Sequence, residues 1–211
     1  MSLTYTALRG PTRLLLRTFT DLRVEGVEHL PDDGPFLLVP NHQSLADPFL
    51  VQAYCRRPVH SMTKSTQFAP AVFRWFIPRL CGFPVRRYRV DPQAVRVLLR
   101  LLEEGEGVCI YPEGERTWDG TMQPFRRGAL RVLLRAGVPI VPVGISGTYD
   151  LWPRWASRPR PGFGPRVKVG LRYGEPLCYG EIRDRSTRER LLPELERRLR
   201  TALQELSRPG G

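Results

Sequence analysis

A histidine and an aspartate in the first quarter of the chain have the types and spacing of an acid–base pair. They stand five residues apart, as His42 and Asp47, within residues 41–47 of sequence NHQSLAD. On a regular helix this spacing rotates the two side chains apart by about 140°, so they meet only if the chain turns between them. Pro48 favours a turn, because the residue before a proline is disfavoured in the helical conformation. A histidine beside a carboxylate at the end of a strand is typical of a general base with its orienting group.

The same segment has a simpler interpretation. Asp47 can cap a helix that begins at Pro48, which leaves His42 as an ordinary loop histidine. The spacing alone does not separate this interpretation from the acid–base pair.

A second segment with the right residue types is residues 111–117, of sequence YPEGERT. Gly114 permits backbone angles that other residues rarely adopt, so a tight loop is expected there. Glu113 and Arg116 then project from one loop, where the carboxylate can accept a hydrogen bond from a hydroxyl and the guanidinium can bind a phosphate. The alternative is a surface turn with a local ion pair, which contributes little to stability.

Further cations stand near the ends of predicted strands, at Lys64 and at residues 86–89 of sequence RRYR. The simplest interpretation of the arginine run is a solvated basic edge. The formal net charge of the whole chain is +12, which favours an anionic partner. Charge alone does not choose among nucleic acid, a lipid surface and a phosphorylated substrate.

Several common enzyme motifs are absent from the sequence. Residues 144–148, of sequence GISGT, lack the second glycine of the GxSxG nucleophile elbow, and neither GxGxxG nor a P-loop occurs. The four cysteines include no CxxC pair, so we expect them to be reduced and mostly buried. No uncharged apolar run reaches the roughly 18 residues of a membrane span, so no such helix is expected.

Continuous or alternating apolar runs predict strands, and segments of helical periodicity predict helices. The predicted strands are residues 36–39, 59–63, 82–85, 108–111, 140–145 and 167–173, and the predicted helices are residues 11–23, 68–77, 92–105, 128–136 and 186–206. Strands that alternate with helices indicate a single α/β domain, with a mixed, mostly parallel central sheet flanked by helices. Residues at the carboxyl ends of such strands are expected to form the active site.

Residues 1–23 are predicted to hold an amphipathic N-terminal helix, and residues 24–211 to form the α/β domain. Leucine and phenylalanine side chains gather on one side of the helix, and Arg13 and Arg17 stand one turn apart. Two interpretations remain open: the helix packs on the core, or it lies on an anionic membrane with a basic rim toward the lipid headgroups.

Taken together, these segments resemble the glycerophospholipid acyltransferase family, most closely the bacterial 1-acyl-glycerol-3-phosphate acyltransferases. The family's four blocks occur in order: NHxxxxD at residues 41–47, GFPVRR at 82–87, YPEGERT at 111–117 and VPIVPV at 138–143. The resemblance covers about residues 24–180 and implies a glycerol-3-phosphate acyltransferase-like α/β fold. Two residues depart from the family pattern: Arg86 stands where an acid is frequent, and Glu115 where a threonine is usual.

The resemblance implies an acyltransferase of phospholipid biosynthesis. It would move a fatty acyl group from a thioester of coenzyme A or acyl carrier protein to the free hydroxyl of 1-acyl-glycerol-3-phosphate, making phosphatidic acid. His42 would be the general base and Asp47 its orienting acid. The implied acceptor-binding residues are Glu113, Gly114, Arg116, Arg87 and Lys64. Neither a metal nor a cofactor beyond the thioester co-substrate is implied.

The implied partners are the acyl-CoA or acyl carrier protein donor, a lysophospholipid acceptor and an anionic membrane surface. These partners imply a peripheral position on the cytoplasmic face of the cell membrane. Nucleic acid is not expected as a partner, and the oligomeric state is left open.

Three alternatives remain. The same chemistry can serve another acceptor, such as glycerol 3-phosphate, another lysophospholipid, a lyso-aminolipid or a glycolipid. A non-catalytic binder of anionic lipid or nucleic acid would use the basic charge alone. A metallohydrolase would use His42, Asp47 and Glu113 as a facial triad.

Overall fold

The computed structural model describes residues 3–86, 91–160, 166–182 and 184–208. Within these residues the strands are β1 (Thr20–Glu25), β2 (Phe36–Pro40), β3 (Val59–Lys64), β4 (Gly82–Val85), β5 (Gly107–Cys109), β6 (Ile140–Ser146) and β7 (Val167–Tyr173). The helices are α1 (Leu3–Phe19), α2 (Asp47–Tyr54), α3 (Ala71–Arg79), α4 (Pro92–Glu103), α5 (Arg127–Ala136), α6 (Thr148–Leu151) and α7 (Arg185–Leu206).

Over the described residues, one sheet of seven strands organises the molecule in the order β1-β7-β6-β2-β5-β3-β4. Strands β2 to β6 are parallel to one another, whereas β7 is antiparallel to β6 and parallel to β1. The predicted mixed, mostly parallel sheet is therefore confirmed. The five parallel strands end on one side of the sheet, the carboxyl edge, so the segments that follow β2 and β5 lie close together.

Both faces of the sheet are buried, and β2 contributes to both. Phe36 and Leu38 pack into the core on one face with Leu50 of α2, whereas Leu37 and Val39 pack into the core on the other. Helices α1 and α2 cover the first face, and α4, α5 and α7 cover the second. A strand buried on both faces has a continuous apolar sequence, which explains why the sequence predicts β2.

The boundaries of α4 and α5 follow local signals in the sequence. The Asp91 carboxylate accepts a hydrogen bond from the Ala94 amide at 3.3 Å and so caps α4, as the Asp91–Pro92 pair predicts. Helix α5 ends at Gly137, whose φ of 66° is the left-handed conformation that favours glycine. The predicted start of α4 and the predicted end of α5 are therefore confirmed.

The predicted helix over residues 11–23 is wrong at both ends. Helix α1 is Leu3–Phe19, and residues 20–25 form β1, which pairs in parallel with β7. The apolar residues of β1 alternate with charged ones in a period of two, and Leu22 and Val24 pack against the core. The division of the chain into an N-terminal segment and an α/β domain stays a prediction.

The predicted helix over residues 68–77 is also displaced. Residues 65–68 form a 3-10 turn, and α3 begins after Pro70 and includes Pro78. Pro70 has extended backbone angles, so it stands just outside the helix. Strand β5 ends at Cys109, two residues before its predicted end.

Helix α1 packs on α2 and leaves part of its apolar side exposed. The Tyr5 hydroxyl donates a hydrogen bond to the Gln52 carbonyl at 3.0 Å, and Leu16 is buried in the core. Leu14 and Leu15, in contrast, are 70% and 59% exposed. One side of α1 therefore packs on the core while another presents apolar side chains outward. None of the described helices is both long and apolar enough to cross a bilayer.

Candidate active site

The His42 turn, residues 41–46, connects β2 to α2 at the carboxyl edge. It brings the imidazole Nδ1 of His42 within 2.8 Å of Oδ2 of Asp47. His42 is 6% exposed and Asp47 is fully buried. The structure therefore brings together the two side chains that the sequence pairs.

The interpretation of Asp47 as a cap of α2 is wrong. Its carboxylate points back into the His42 turn, where Oδ2 accepts hydrogen bonds from the amides of Gln43 and Ser44, each at 2.7 Å. Its other oxygen, Oδ1, accepts a hydrogen bond from the Thr148 hydroxyl at 2.6 Å. Helix α2 itself has no side-chain cap.

These contacts determine the state of the His42 ring. A fully buried carboxylate is stable as an anion only when donors surround it, and Asp47 has donors at both oxygens. Because an ionised carboxylate only accepts hydrogen bonds, Nδ1 of His42 carries the hydrogen and the basic lone pair lies at Nε2. The Tyr111 ring stacks on the imidazole, with ring centroids 4.0 Å apart, and limits its rotation.

The EGER loop, residues 113–116, follows β5 and is fastened to the His42 turn. Glu113 is 3% exposed, and its Oε1 and Oε2 accept hydrogen bonds from the amides of His42 and Gln123, each at 2.7 Å. The His42 carbonyl in turn accepts a hydrogen bond from the Thr117 amide at 2.9 Å. The two segments that the sequence singles out therefore form one site.

Glu113 is a buried carboxyl with unusual proton affinity. Burial raises the pKa of Glu113 to about 7, although the amide donors of Gln123 and His42 act in the opposite direction. Because backbone amides engage both of its oxygens, its observed contact is with His42 and the loop around it. Its contact with an acceptor stays a prediction.

Gly114 allows the EGER loop to turn against a neighbouring arginine. Its φ is 76°, and a Cβ at this position would lie 2.3 Å from Nε of Arg126. The same Nε donates a hydrogen bond to the Glu113 carbonyl at 3.1 Å. Only glycine allows this close approach in a left-handed conformation.

Arg116 lies at the end of the loop and is half-buried. Burial and the nearby Arg154 guanidinium lower the pKa of Arg116, while Asp47 acts in the opposite direction. Within the described part of the chain, the Arg116 guanidinium has no hydrogen-bond or ion-pair partner. A half-buried guanidinium of this kind is suited to an anionic ligand.

Glu115, which departs from the family pattern, is neutralised by arginines. Its Oε1 accepts a hydrogen bond from Nη2 of Arg126 at 3.0 Å, and its Oε2 accepts one from Nη1 of Arg154 at 2.8 Å. Arg154 also donates to the Arg116 carbonyl at 2.9 Å and stacks on the Trp118 ring, 3.8 Å from its centroid. The extra acid therefore ties the loop to the segment after α6 and does not leave an uncompensated charge beside Arg116.

The two other predicted acceptor-binding cations, Lys64 and Arg87, are not shown to lie beside the His42 turn. Lys64 ends β3 at the carboxyl edge and is exposed. Strand β3 is separated from β2 by β5, which puts Lys64 about 10 Å along the sheet from the end of β2. Arg87 lies outside the described residues. Their roles in acceptor binding stay predictions.

The sequence analysis missed the side chains that fix the His42 turn to β6 and α6. The side-chain amide of Asn41 donates from Nδ2 to the Ile145 carbonyl at 2.9 Å, and its Oδ1 accepts from the backbone amide of Ile145 at 2.7 Å. The Ser44 hydroxyl donates to the Trp152 carbonyl at 2.8 Å. Together with the Thr148 contact, these bonds span about half of the chain, and no spacing in one sequence predicts such pairs.

Metal binding finds no support in the described residues. They contain no group of three or more His, Cys, Asp or Glu side chains arranged to hold an ion. In the suggested triad of His42, Asp47 and Glu113, both Glu113 oxygens already accept backbone hydrogen bonds.

Comparison with known proteins gives a consistent result. The model of a family described as Acyltransferase matches residues 21–146. The chain is 32% identical over 139 residues to the chloroplastic 1-acyl-sn-glycerol-3-phosphate acyltransferase BAT2 of Brassica napus, covering 62% of this chain and 38% of that protein. It is 35% identical over 150 residues to a Chlamydomonas reinhardtii enzyme of the same name, covering 68% and 44%. The chain thus spans less than half the length of these two relatives.

A bacterial relative and a crystal structure are similar over more of their length. The 1-acyl-sn-glycerol-3-phosphate acyltransferase of Bacillus subtilis is 27% identical over 184 residues, which cover 85% of each chain. The crystal structure of the 1-acyl-sn-glycerophosphate acyltransferase PlsC from Thermotoga maritima superimposes with a TM-score of 0.77 at 27% identity. That superposition covers 98% of this chain and 81% of the other.

Proposed function

This chain belongs to the acyltransferase family, and we propose that it transfers a fatty acyl group from a thioester to the free hydroxyl of 1-acyl-glycerol-3-phosphate, making phosphatidic acid. The observation that carries the proposal is the buried His42–Asp47 pair, held at 2.8 Å beside a loop that offers Arg116 to an anion. The name and extent of the Bacillus relative support the choice of acceptor.

In the proposed reaction His42 is the general base. Its Nε2 takes the proton of the acceptor hydroxyl as the oxygen attacks the thioester carbonyl, and Asp47 stabilises the imidazolium that forms. The C–S bond then breaks, and the thiolate leaves readily because a thiol has a pKa of about 8.5. His42 returns its proton to the sulfur. The sequence forms no serine or cysteine elbow, so we propose direct transfer with no covalent enzyme intermediate.

The acyl donor is proposed to be a thioester of coenzyme A or acyl carrier protein, acting as a co-substrate. Since the thiol is a good leaving group and His42 moves the only proton required, the chemistry needs no metal and no further cofactor.

Acceptor binding is assigned first to Arg116. A guanidinium presents a planar pair of N–H donors that suits a phosphate monoester, and no described carboxylate forms an ion pair with that of Arg116, although the charge of Asp47 is near. We propose Lys64 and Arg87 as further cations that bind the acceptor, with Gly114 shaping the loop. Glu113 is assigned a positioning role, since its oxygens hold the His42 amide and the Gln123 amide.

The acceptor of this reaction is a lipid, and the donor carries an acyl chain. We therefore propose that the protein lies peripherally on the cytoplasmic face of a membrane. Leu14 and Leu15 of α1 and Trp75 of α3 are more than half exposed and are accompanied by arginines. Such mixtures favour the headgroup boundary of anionic lipid.

Vesicle sedimentation tests the membrane assignment. Replacing Leu14 and Leu15 together with serine should weaken binding to vesicles that contain phosphatidylglycerol. Val97→Ser is the matched control, because Val97 is 42% exposed on α4, over the other face of the sheet. Equal loss in both variants, or no loss in the α1 variant, would contradict a role for α1.

An acceptor panel tests the function. With labelled acyl-CoA and acyl carrier protein donors, we expect transfer to 1-acyl-glycerol-3-phosphate and little transfer to the corresponding acceptor without a phosphate. Arg116→Ala should raise the acceptor KM at least tenfold, because a charge-assisted hydrogen bond to phosphate is lost.

Arg100→Ala serves as the control for charge, since Arg100 lies near the end of α4 and pairs only with Glu104 among the described residues. If a phosphate-free acceptor works as well as the phosphorylated one, the assigned phosphate site is wrong. If only donor kinetics change in the Arg116 variant, the phosphate is bound elsewhere.

A further inference from the structure

The GISGT segment, residues 144–148, resembles a nucleophile elbow without forming one. Ser146 is buried at the end of β6 and faces Gly170 of β7, where a Cβ would lie 2.6 Å from the Ser146 hydroxyl. Ser146 therefore packs between strands and is not presented to a substrate. The residue of this segment that reaches the active site is Thr148.

Thr148 is placed against the acid–base pair by the local backbone. Gly147 has φ of 76°, and a Cβ at this position would lie 1.9 Å from the Lys168 carbonyl oxygen. Only glycine fits this turn, which ends β6 and starts α6 at the residue that contacts Asp47. Thr148 is 1% exposed at the first position of α6.

The Thr148 hydroxyl completes the shell of donors around Asp47. It lies 2.6 Å from Oδ1 of Asp47, whereas its distance to its other acceptor among the described residues, Oε1 of Gln43, is 3.4 Å. A hydroxyl has a single hydrogen, so the shorter contact receives it. The remaining donors to Asp47 come from His42, Gln43 and Ser44, and all of them bind Oδ2.

We propose that Thr148 is a positioning residue for acyl transfer: its hydroxyl holds Oδ1 of Asp47, so that Oδ2 faces Nδ1 of His42 throughout the reaction. The proposal rests on the proposed function, in which His42 is the general base. It extends the acid–base pair to a buried chain of three side chains, contributed by the His42 turn, by the first residue of α2 and by α6. Residues 101 positions apart in sequence form its second link.

Without the hydroxyl, Oδ1 would be a buried anionic oxygen with no described donor. The charge of Asp47 would then depend more strongly on the hydrogen bond from His42, which favours the protonated imidazole. Tyr111, Glu113 and Arg116 also surround the pair, from the strand end and loop that follow β5. They are the same in every variant compared, so a difference between variants at position 148 reports the hydroxyl.

Paired substitutions at Thr148 test the proposal. Thr148→Val keeps the shape and removes the hydroxyl, and Thr148→Ser keeps the hydroxyl. We expect the valine variant to lose about tenfold in kcat/KM at neutral pH, since a hydrogen bond to a charged group is lost. The acidic limb of its pH profile of kcat/KM should also move to higher pH by about half a unit or more. The serine variant should restore both the wild-type kcat/KM and the wild-type position of this limb.

Thr20→Val is the matched control for stability. The Thr20 hydroxyl is as buried as that of Thr148 and donates to the Leu16 carbonyl at 2.6 Å, but it lies on the edge strand β1, which β7 and β6 separate from β2 and the His42 turn. Thr20→Val should lower the melting temperature without moving the acid limb.

Proton uptake by the His42 ring, followed by NMR with His42→Gln used for assignment, gives a readout that needs no turnover. The ring should be protonated at higher pH in Thr148→Val than in the wild type and in Thr148→Ser. An unchanged midpoint in the valine variant overturns the positioning role, whether or not the protein transfers acyl groups. A shifted midpoint in a protein with no transferase activity would support the contact and refute the proposed function instead.

Discussion

Replacing Asp47 with asparagine removes one negative charge and keeps the shape of the side chain. The amide oxygen can take the place of Oδ2 and accept from His42, Gln43 and Ser44. The amide nitrogen then faces the Thr148 oxygen at the position of Oδ1, and the Thr148 hydroxyl hydrogen can turn to Gln43. The His42 turn therefore should survive the substitution with its hydrogen bonds intact.

The expected loss of activity is electrostatic. In the proposed mechanism, proton transfer to His42 creates an imidazolium whose Nδ1 lies 2.8 Å from Oδ2 of Asp47. With charge centres about 4 Å apart and an effective dielectric constant of about 20, their attraction is about 4 kcal/mol. Losing it should lower kcat by about 10³-fold, because each 1.4 kcal/mol or so is a factor of ten.

The assay is transfer of a labelled acyl group to 1-acyl-glycerol-3-phosphate, with a thermal melt of the same preparation. Asp184→Asn is the control, since Asp184 caps α7 by accepting from the Thr187 amide and lies outside the site. It should keep near wild-type turnover. An Asp47→Asn variant that melts normally and retains more than a tenth of wild-type kcat would refute the role given to the charge.

Two further predictions concern stability. Since the pKa of Glu113 is raised to about 7 in the folded protein, the folded state binds this proton more tightly than the unfolded state. The contribution of Glu113 to the free energy of unfolding therefore falls as pH rises from about 4.5 to about 7, by up to about 3 kcal/mol. Urea titrations of Glu113→Gln should show a free energy of unfolding that depends less on pH over that window than in the wild type. An equal pH dependence in the two proteins would contradict the raised pKa. Gly147→Ala should destabilise the fold by at least about 2 kcal/mol, because its Cβ meets the Lys168 carbonyl, whereas Gly128→Ala in α5, where the space is open, should stabilise it by up to about 1 kcal/mol. Equal effects of the two alanines in urea titrations would contradict this reasoning.

The sequence predicts most of the sheet because its central strands are buried on both faces. Such strands have short continuous apolar sequences, as in β2 and β6, and turn residues separate them from the helices. Strand β1 is missed because Leu22 follows Phe19 of α1 at a helical spacing of three residues, which extends the predicted helix into the start of the strand. The antiparallel direction of β7 is a property of how distant strands pair, and no local pattern encodes it.

The same limit applies to the site. The His42–Asp47 pair and the EGER loop are predictable because each lies within a few consecutive residues, and because their strands are parallel, so both lie at one edge. Thr148 and Arg154 are not predictable, since their contacts with Asp47 and Glu115 depend on how remote segments pack. A threonine after a glycine has no distinguishing type or spacing in a single sequence.

The most direct test of the central claim is turnover by His42→Ala. The links from residue 42 to Glu113 and Thr117 use backbone atoms, so alanine keeps both of them and the fold should remain intact. We predict a cooperative melt like that of the wild type and at least a roughly 10³-fold loss of acyl transfer to 1-acyl-glycerol-3-phosphate. Transfer within tenfold of the wild-type rate by the folded variant would show that His42 is not the base.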